Sequence, residues 1–222
     1  MRHAVTLEHR DFFFKNRYIE FDGLLSLEQA TLLQKEIDET LSQRLVAKSP
    51  SCIETFQAGY DLWRENALIK KWAFKNTFAE VAADLLQTHL FRIAFDQYLC
   101  PDGIATPLSS PAPLSLLSSA KPLSGAFLIC LSGGTIPSSI DTSQCPFPLK
   151  EGNVVFFSPQ LPISWNLLFQ LQHFRWLLVA YAPKQAIYHL ENKDPHTHAW
   201  KRLGYVFGDS LNDTLHPIVY RD

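Results

Sequence analysis

Two charged side chains in apolar stretches of this sequence are the first candidates for chemistry. Asp96 lies within the run at 90–99, and Arg175 begins a run that ends at Tyr181. A carboxylate buried without a partner is costly, so Asp96 is expected to pair with a cation or to face a cavity. Arg175 could bind a carboxylate through two parallel hydrogen bonds, or it could equally be a structural arginine paired with a nearby Asp or with solvent. An Asp96–Arg175 ion pair would satisfy both charges.

Histidines supply the other candidates. His173 lies two residues before Arg175, and strand alternation places His173, Arg175 and Leu177 on one face. His173 is therefore a candidate pocket residue, although a lone histidine beside a loop is more often a surface or capping residue. His196 and His198 have a spacing that metal sites use, but their stretch is polar and no third ligand is placed by the spacing. A solvated loop is the better interpretation of this pair.

Several other classes of function are disfavoured by composition. The formal net charge is −2 with a pI near 6.4, so no basic surplus exists for binding nucleic acid. No apolar run reaches 18 residues, which argues against membrane insertion. Neither a Gly-rich phosphate loop nor a G-x-S-x-G elbow occurs. Four isolated cysteines without C-x-x-C spacing indicate a reducing, cytoplasmic location and inert thiols: Cys52, Cys100, Cys130 and Cys145.

The elements that would position these residues are helices first and strands second. A strand is predicted at 18–21, and a helix follows from Ser26, whose capping box is completed by Gln29. Further helices are predicted at 61–71 and 76–86. The core stripes of the first and last helices are Ala30, Leu33, Ile37 and Leu41, and then Phe78, Val81, Ala82 and Leu85.

The remaining strands are predicted at 90–99, 125–131, 153–157 and 174–181. The first of them is assigned from its aromatic and β-branched residues. The other three are nearly all apolar, so both of their faces are expected to be covered. The Pro-, Ser- and Leu-rich stretch at 105–122 is predicted to be a long loop that has room for a short strand. Helices followed by short strands are typical of an α+β domain built around a sandwich or barrel of strands, here a single domain over residues 1–222.

Six segments carry a resemblance to a known family: FKNRYIEFDGLL at 14–25, DLWR at 61–64, RIAFDQ at 92–97, EGNVVFF at 151–157, RWLLVAYAP at 175–183 and LGYVFGDSL at 203–211. In order and spacing the sequence resembles the phytanoyl-CoA dioxygenase (PhyH) family over most of its length. The resemblance implies a cupin-like double-stranded β-helix, or jelly roll, with N-terminal helices packed on it. It also implies hydroxylation chemistry with Fe(II) and 2-oxoglutarate, and it places the family's 2-oxoglutarate arginine at Arg175.

The iron ligands that the resemblance implies are missing from this sequence. The family's His-x-Asp pair would fall between residues 103 and 119, where no His, Asp or Glu occurs. The distal His would fall at 161–166, where Ile163 or a neighbour stands instead. Fe(II) needs imidazole or carboxylate donors in such a site. We therefore expect neither Fe(II) nor 2-oxoglutarate as a cofactor. Trp165 and Asn166 are candidates to line whatever cavity remains, and Trp165 could equally be a core residue.

Three functions stay open on the sequence alone. The leading one is a non-catalytic jelly-roll protein that binds a small carboxylate or a protein partner. The second is an enzyme that uses metal-free chemistry or unusual ligands such as Asp96 and His173. The third is a structural or regulatory protein whose stretch at 105–122 is an exposed docking loop, which an exposed apolar patch there would support. If this stretch is instead buried across the barrel mouth, it fills the family's iron pocket and argues against ligand binding in that pocket.

Overall fold

The structure, a computed structural model, describes residues 5–46, 50–101, 108–136, 138 and 146–221. Helices within these residues are Leu7–Asn16 (α1), Leu27–Arg44 (α2), Cys52–Ala58 (α3), Ala67–Ala73 (α4), Asn76–Leu86 (α5) and Trp165–Gln170 (α6). Strands are Tyr18–Phe21 (β1), Leu90–Leu99 (β2), Ala112–Pro113 (β3), Ala120–Lys121 (β4), Gly125–Ser132 (β5), Val154–Phe157 (β6), Pro162–Ile163 (β7), Arg175–Ala182 (β8), Ile187–Tyr188 (β9) and Ile218–Arg221 (β10).

A six-stranded antiparallel sheet organises the molecule. Its strand order is β1-β6-β5-β8-β2-β10, and two short ladders, β3 with β7 and β4 with β9, lie apart from it. The long pairing of β2 with β8 places Asp96 opposite Val179 and Leu99 opposite Trp176. The chain therefore has the mixed helix and antiparallel-sheet character that the sequence predicts.

Apolar side chains leave both faces of this sheet and form two cores. The helix-side core holds sheet residues such as Phe127 and Val179 together with Leu33 of α2 and Phe78 of α5. On the opposite face, an inner core is built from alternate sheet positions such as Leu178 and from the segments that follow β2 and β6. Burial of both faces confirms the expectation drawn from the apolar strands, and each buried leucine or phenylalanine contributes about 1.5–3 kcal/mol.

The N-terminal elements follow the predicted signals closely. The Ser26 hydroxyl accepts a hydrogen bond from the N–H of Gln29 at 3.2 Å, and the Gln29 side chain accepts from the N–H of Ser26 at 3.0 Å. This capping box satisfies two donors that the first turn of α2 would otherwise leave unpaired. All eight residues of the two predicted core stripes are buried.

Some helix boundaries differ from the prediction. The predicted helix at 61–71 is divided into a 3₁₀ turn, Leu62–Arg64, and α4. The division occurs because the Asn66 side chain accepts hydrogen bonds from the N–H groups of Leu68 and Ile69, which starts a new helix. Asn76 is the first residue of α5 rather than its cap, a position that Lys75 occupies.

Helices α1, α3 and α6 were not predicted, although α3 has a sequence signal. Ser51 and Glu54 form a complete capping box at its start. At α1, Thr6 and His9 form the same arrangement with an imidazole in place of the usual Glu or Gln. No helix in the described part of the chain is long and apolar enough to cross a membrane.

The segment from Leu108 to Pro122 was expected to be a long loop, yet it folds against the inner core. Leu108, Leu114 and Leu117 are each buried, whereas Leu116 is 43% exposed. Its backbone forms β3 and β4 as partners of β7 and β9. The expectation of an exposed docking loop is therefore wrong for this part of the chain, and residues 105–107 lie outside the described residues.

Candidate functional site

The two segments in which iron ligands were sought do come together. β3 and β7 place Ala112 opposite Ile163, and both side chains are buried in the inner core. Trp165 is fully buried beside them and donates its indole N–H to the carbonyl of Ala112 at 2.9 Å. The two segments therefore meet in the inner core, and the paired side chains at that point, Ala112 and Ile163, are apolar.

A small cavity of about 20 Å³ remains in the inner core. It is lined by Phe56, Tyr60, Phe95, Gln97, Leu99, Leu108, Leu114, Leu117, Leu178, Asp194, Pro195 and His196. Such a volume accommodates about one water molecule. A five-carbon dicarboxylate such as 2-oxoglutarate is far too large for it.

Two polar atoms at this cavity are buried without a hydrogen-bond partner, Gln97 Oε1 and His196 Nε2. Gln97 is held by its Nε2, which donates to the carbonyls of Phe56 and Tyr98. The His196 ring stacks on Tyr60 with centroids 4.1 Å apart, and burial lowers its pKa to about 4. His196 is therefore a neutral, packed histidine and not the solvated loop residue that was predicted, while its neighbour His198 is exposed.

The residues at this cavity do not fit Fe(II). Asp194 and His196 are the described lining residues with ligand chemistry. Both oxygens of Asp194 already accept backbone N–H groups, one from Ser119 at 2.7 Å and one from His196 at 2.8 Å. Within the described residues, no group of three His, Cys, Asp or Glu side chains is arranged to hold a metal ion.

Asp96 lies on the opposite side of β2 from this cavity. Its carboxylate accepts hydrogen bonds from the N–H groups of Leu62 (2.7 Å) and Trp63 (3.0 Å), so it anchors the turn before α4. Burial raises the pKa of Asp96 to about 8, and the nearby Asp61 carboxylate adds to the increase. The predicted pairing of Asp96 with Arg175 is wrong, because backbone donors replace the cation and Asp96 lies opposite Val179, four positions along β8 from Arg175.

Sequence reasoning missed a buried polar network next to Asp96. Asp61 is fully buried and has left-handed backbone (φ 55°), which aspartate tolerates better than most residues. Its Oδ2 accepts from Arg64 at 2.8 Å and from the Trp200 indole at 3.1 Å. His216 lies between Arg64 and the Tyr205 hydroxyl, and burial lowers its pKa to about 2. These hydrogen bonds hold the C-terminal segment against the turn before α4, so the network has a structural role.

His173 and Arg175 do not share a pocket. His173 is exposed in the turn before β8, with left-handed backbone (φ 69°), so it breaks the strand alternation that the prediction assumed. Arg175 begins β8 and is half-buried on the helix side, where Nη1 donates to the carbonyl of Phe174 at 2.8 Å. A metal site formed by Asp96 and His173 is therefore wrong as well, because Asp96 is buried under the helices.

Arg175 instead lines a cleft beside α2, which we call the α2 cleft. Its volume is about 590 Å³, and its described lining is Asp38, Leu41, Ser42, Leu45, Val46, Pro50, Cys52, Thr55, Tyr98, Cys100 and Arg175. The Tyr98 hydroxyl accepts a hydrogen bond from Gln34 Nε2 at 3.0 Å, and the same nitrogen donates to Asp38 at 2.7 Å. A cation, a phenol and a carboxylate therefore lie around one surface cleft.

Trp165 and Asn166 are among the described lining residues of neither the inner cavity nor the α2 cleft. Trp165 packs in the inner core, and Asn166 is exposed, where its N–H and side chain bond to the Ser110 hydroxyl. Cys130 is a buried core residue whose pKa burial raises to about 12, while Cys145 lies outside the described residues.

Comparison with known proteins shows similarity at the level of fold. No family model and no curated protein matches the chain. Among solved structures, the non-heme α-ketoglutarate-dependent carbocyclase SnoK from nogalamycin biosynthesis has a TM-score of 0.67 at 13% identity, with 98% of this chain and 97% of that chain covered. CytC3 with Fe(II) and α-ketoglutarate has a TM-score of 0.55 at 16% identity, with 86% and 83% covered. CT296 from Chlamydia trachomatis has a TM-score of 0.52 at 17% identity, with 82% and 98% covered.

These identities are low, so the comparisons establish a shared architecture and leave the chemistry open. The chain has a mixed helix and antiparallel-sheet fold that resembles the fold of Fe(II)/2-oxoglutarate-dependent oxygenases.

Proposed function

We propose that this chain is a non-catalytic jelly-roll protein, a degenerate relative of the PhyH-like oxygenases, which binds a small carboxylate in the α2 cleft through Arg175. It works as a single cytoplasmic domain over residues 1–222, without Fe(II) or 2-oxoglutarate as cofactors. One observation carries the proposal. Leucines fill the inner cavity, whereas the charged side chain of Arg175 lines a cleft that is large enough for a metabolite.

The loss of oxygenase chemistry is supported by the residues that meet in the inner core. Ala112 and Ile163 lie opposite each other where the resemblance implies ligands. Leu114 and Leu117 occupy the adjacent space. An aliphatic side chain has no electron pair to donate to a metal. The inner core therefore lacks the ligands that would be needed to activate oxygen.

Carboxylate binding is supported by the chemistry of the α2 cleft. A guanidinium has five N–H donors in a planar fork that matches a carboxylate. Arg175 donates to the carbonyl of Phe174 and has a further interaction, so a carboxylate ligand would compete for this guanidinium. The Tyr98 hydroxyl, which accepts from Gln34, can donate its own hydrogen to the same ligand. Half-burial of Arg175 limits the competition from water.

Titration calorimetry with a panel of small mono- and dicarboxylates tests the proposal. Arg175→Gln is expected to weaken binding by at least tenfold, because a charged hydrogen bond contributes about 1.5–3 kcal/mol. Arg202→Gln, which makes the same change at an exposed arginine outside the cleft, is the matched control and should bind as the wild type does. Equal binding by all three proteins would place the ligand elsewhere and refute the assignment.

A further inference from the structure

Two cysteines that lie far apart in the sequence meet at the α2 cleft. Cys52 is the first residue of α3, and Cys100 directly follows β2. Both line the cleft and both are partly exposed, so a small reagent in the cleft can reach either sulfur. Their separation of 48 residues hides the pair from the sequence, which predicts inert thiols.

A hydrogen bond fixes how close the two side chains are. The Cys52 thiol donates to the carbonyl of Cys100, with 3.5 Å between sulfur and oxygen. Standard bond lengths place a carbonyl oxygen about 2.4 Å from its own Cα atom, so the Cys52 sulfur lies within about 6 Å of the Cys100 Cα. In a disulfide that distance is about 3–4.5 Å, so an approach of about 2 Å would complete the bond. A thiol is a weak donor, so the present hydrogen bond is readily exchanged.

The packing around the pair allows this approach. Of the seven residues of α3, all of them described, only Phe56 is buried, so a small movement at the start of the helix disturbs little core. Cys130 is the contrasting case, because it is buried in the inner core and burial raises its pKa to about 12. A thiol of that kind stays protonated and is a poor nucleophile.

We propose that Cys52 and Cys100 form a redox-active dithiol, which a low-molecular-weight disulfide such as oxidised glutathione converts to an intramolecular disulfide. One protein thiolate attacks a sulfur of the small disulfide, so a mixed disulfide forms and one small thiol leaves. The second protein thiolate attacks the protein sulfur of this mixed disulfide and releases the other small thiol. The protein loses two hydrogens and two electrons in total, and the small disulfide gains them as it becomes two thiols.

The new bond would act on the cleft itself. It would draw the start of α3 toward the end of β2, and these two segments line the cleft together with Arg175. The cleft would become narrower, so a small carboxylate should bind the oxidised protein more weakly than the reduced protein. This consequence rests on the proposed function, whereas formation of the disulfide does not. Cytoplasmic disulfides are usually transient and redox-sensing, which fits such a pair.

Oxidation of the full chain in mixtures of reduced and oxidised glutathione tests the pair. Samples are quenched, unfolded and alkylated, and two of the four cysteines should then no longer react. The mass of the protein before alkylation should fall by about 2 Da, because two hydrogens are lost. Peptide mapping should identify one crosslink, between Cys52 and Cys100, and excess reduced glutathione should restore all four thiols.

Substitutions show which thiols take part. Cys52→Ser and Cys100→Ser should each abolish the crosslink, and in each variant the remaining thiol should stop at a glutathione adduct. Cys130→Ala is the matched control and should form the crosslink as the wild type does. The two serine variants change partly exposed side chains, so they should fold, and their melting temperatures check that they do.

The possible outcomes distinguish this inference from the proposed function. A reversible crosslink between Cys52 and Cys100 supports the dithiol, and weaker binding of the carboxylate panel by the oxidised form also supports its effect on the cleft. Absence of the crosslink, or a disulfide from either residue to Cys145, overturns the dithiol and leaves the carboxylate site standing. A crosslink without carboxylate binding in either form supports the dithiol and overturns the proposed function.

Discussion

Replacing Leu114 by alanine tests whether the segment after Leu108 is a permanent part of the inner core. Leu114 is 3% exposed and lines the small inner cavity, so the shortened side chain would leave a void among apolar neighbours. Leucine-to-alanine changes at such sites cost about 2–5 kcal/mol, and the lower part of that range applies where neighbours relax into the space. We expect Leu114→Ala to lower the free energy of unfolding by about 3 kcal/mol.

Leu116 provides a matched control within the same 3₁₀ turn, Leu114–Leu116. Its side chain is 43% exposed, so Leu116→Ala is expected to cost less than about 1 kcal/mol. Urea denaturation followed by tryptophan fluorescence measures both variants, and a shifted midpoint with an unchanged slope identifies a true stability effect. Equal, small effects at the two positions would show that the segment is an open lid, and the filled inner cavity would then be refuted.

Three further predictions concern buried titratable groups. The pKa of Asp96 is raised to about 8 in the folded state, so its contribution to stability is complete below about pH 4 and is lost as pH rises through 8. The free energy of unfolding from urea denaturation should therefore favour wild type over Asp96→Asn by at least about 1 kcal/mol less at pH 9 than at pH 5. The pKa of His216 is lowered to about 2, so the stability that neutral His216 contributes is present above about pH 6.5 and is lost as pH falls. Relative to its own stability at neutral pH, His216→Gln should therefore lose less free energy of unfolding on acidification than the wild type, and its acid unfolding should begin at lower pH. His196→Phe should keep the ring stack on Tyr60 and remove a buried nitrogen that has no hydrogen-bond partner. Thermal unfolding should therefore show stability that is unchanged or higher by up to about 1 kcal/mol. A loss above about 2 kcal/mol would show that Nε2 has a partner.

The helices and sheet strands could be predicted wherever a local pattern decides the structure. The capping box at Ser26 and the apolar stripe that follows it define α2, and largely apolar segments define β2, β5 and β8. The turn before α4 could not be predicted in the same way. Its conformation depends on Asp96, which is more than thirty residues away in sequence and supplies acceptors to Leu62 and Trp63.

The site was harder to predict because strand alternation depends on where a strand begins. The assumption that β8 includes His173 placed that residue beside Arg175, but the left-handed backbone at 173 starts the strand two residues later. The face occupied by Arg175 was therefore not evident, nor was the cleft formed with Asp38 of α2. The inward-facing leucines after Leu108 were equally hidden, since a Pro- and Ser-rich composition is typical of loops.

Metal content and 2-oxoglutarate binding, measured together on protein loaded anaerobically with Fe(II), distinguish a filled inner core from a working oxygenase site. We expect no stoichiometric iron, and we expect any binding of 2-oxoglutarate to be independent of metal and to be lost in Arg175→Gln. Stoichiometric iron together with iron-dependent binding of 2-oxoglutarate would contradict this expectation, because the inner core would then hold ligands that its described residues lack.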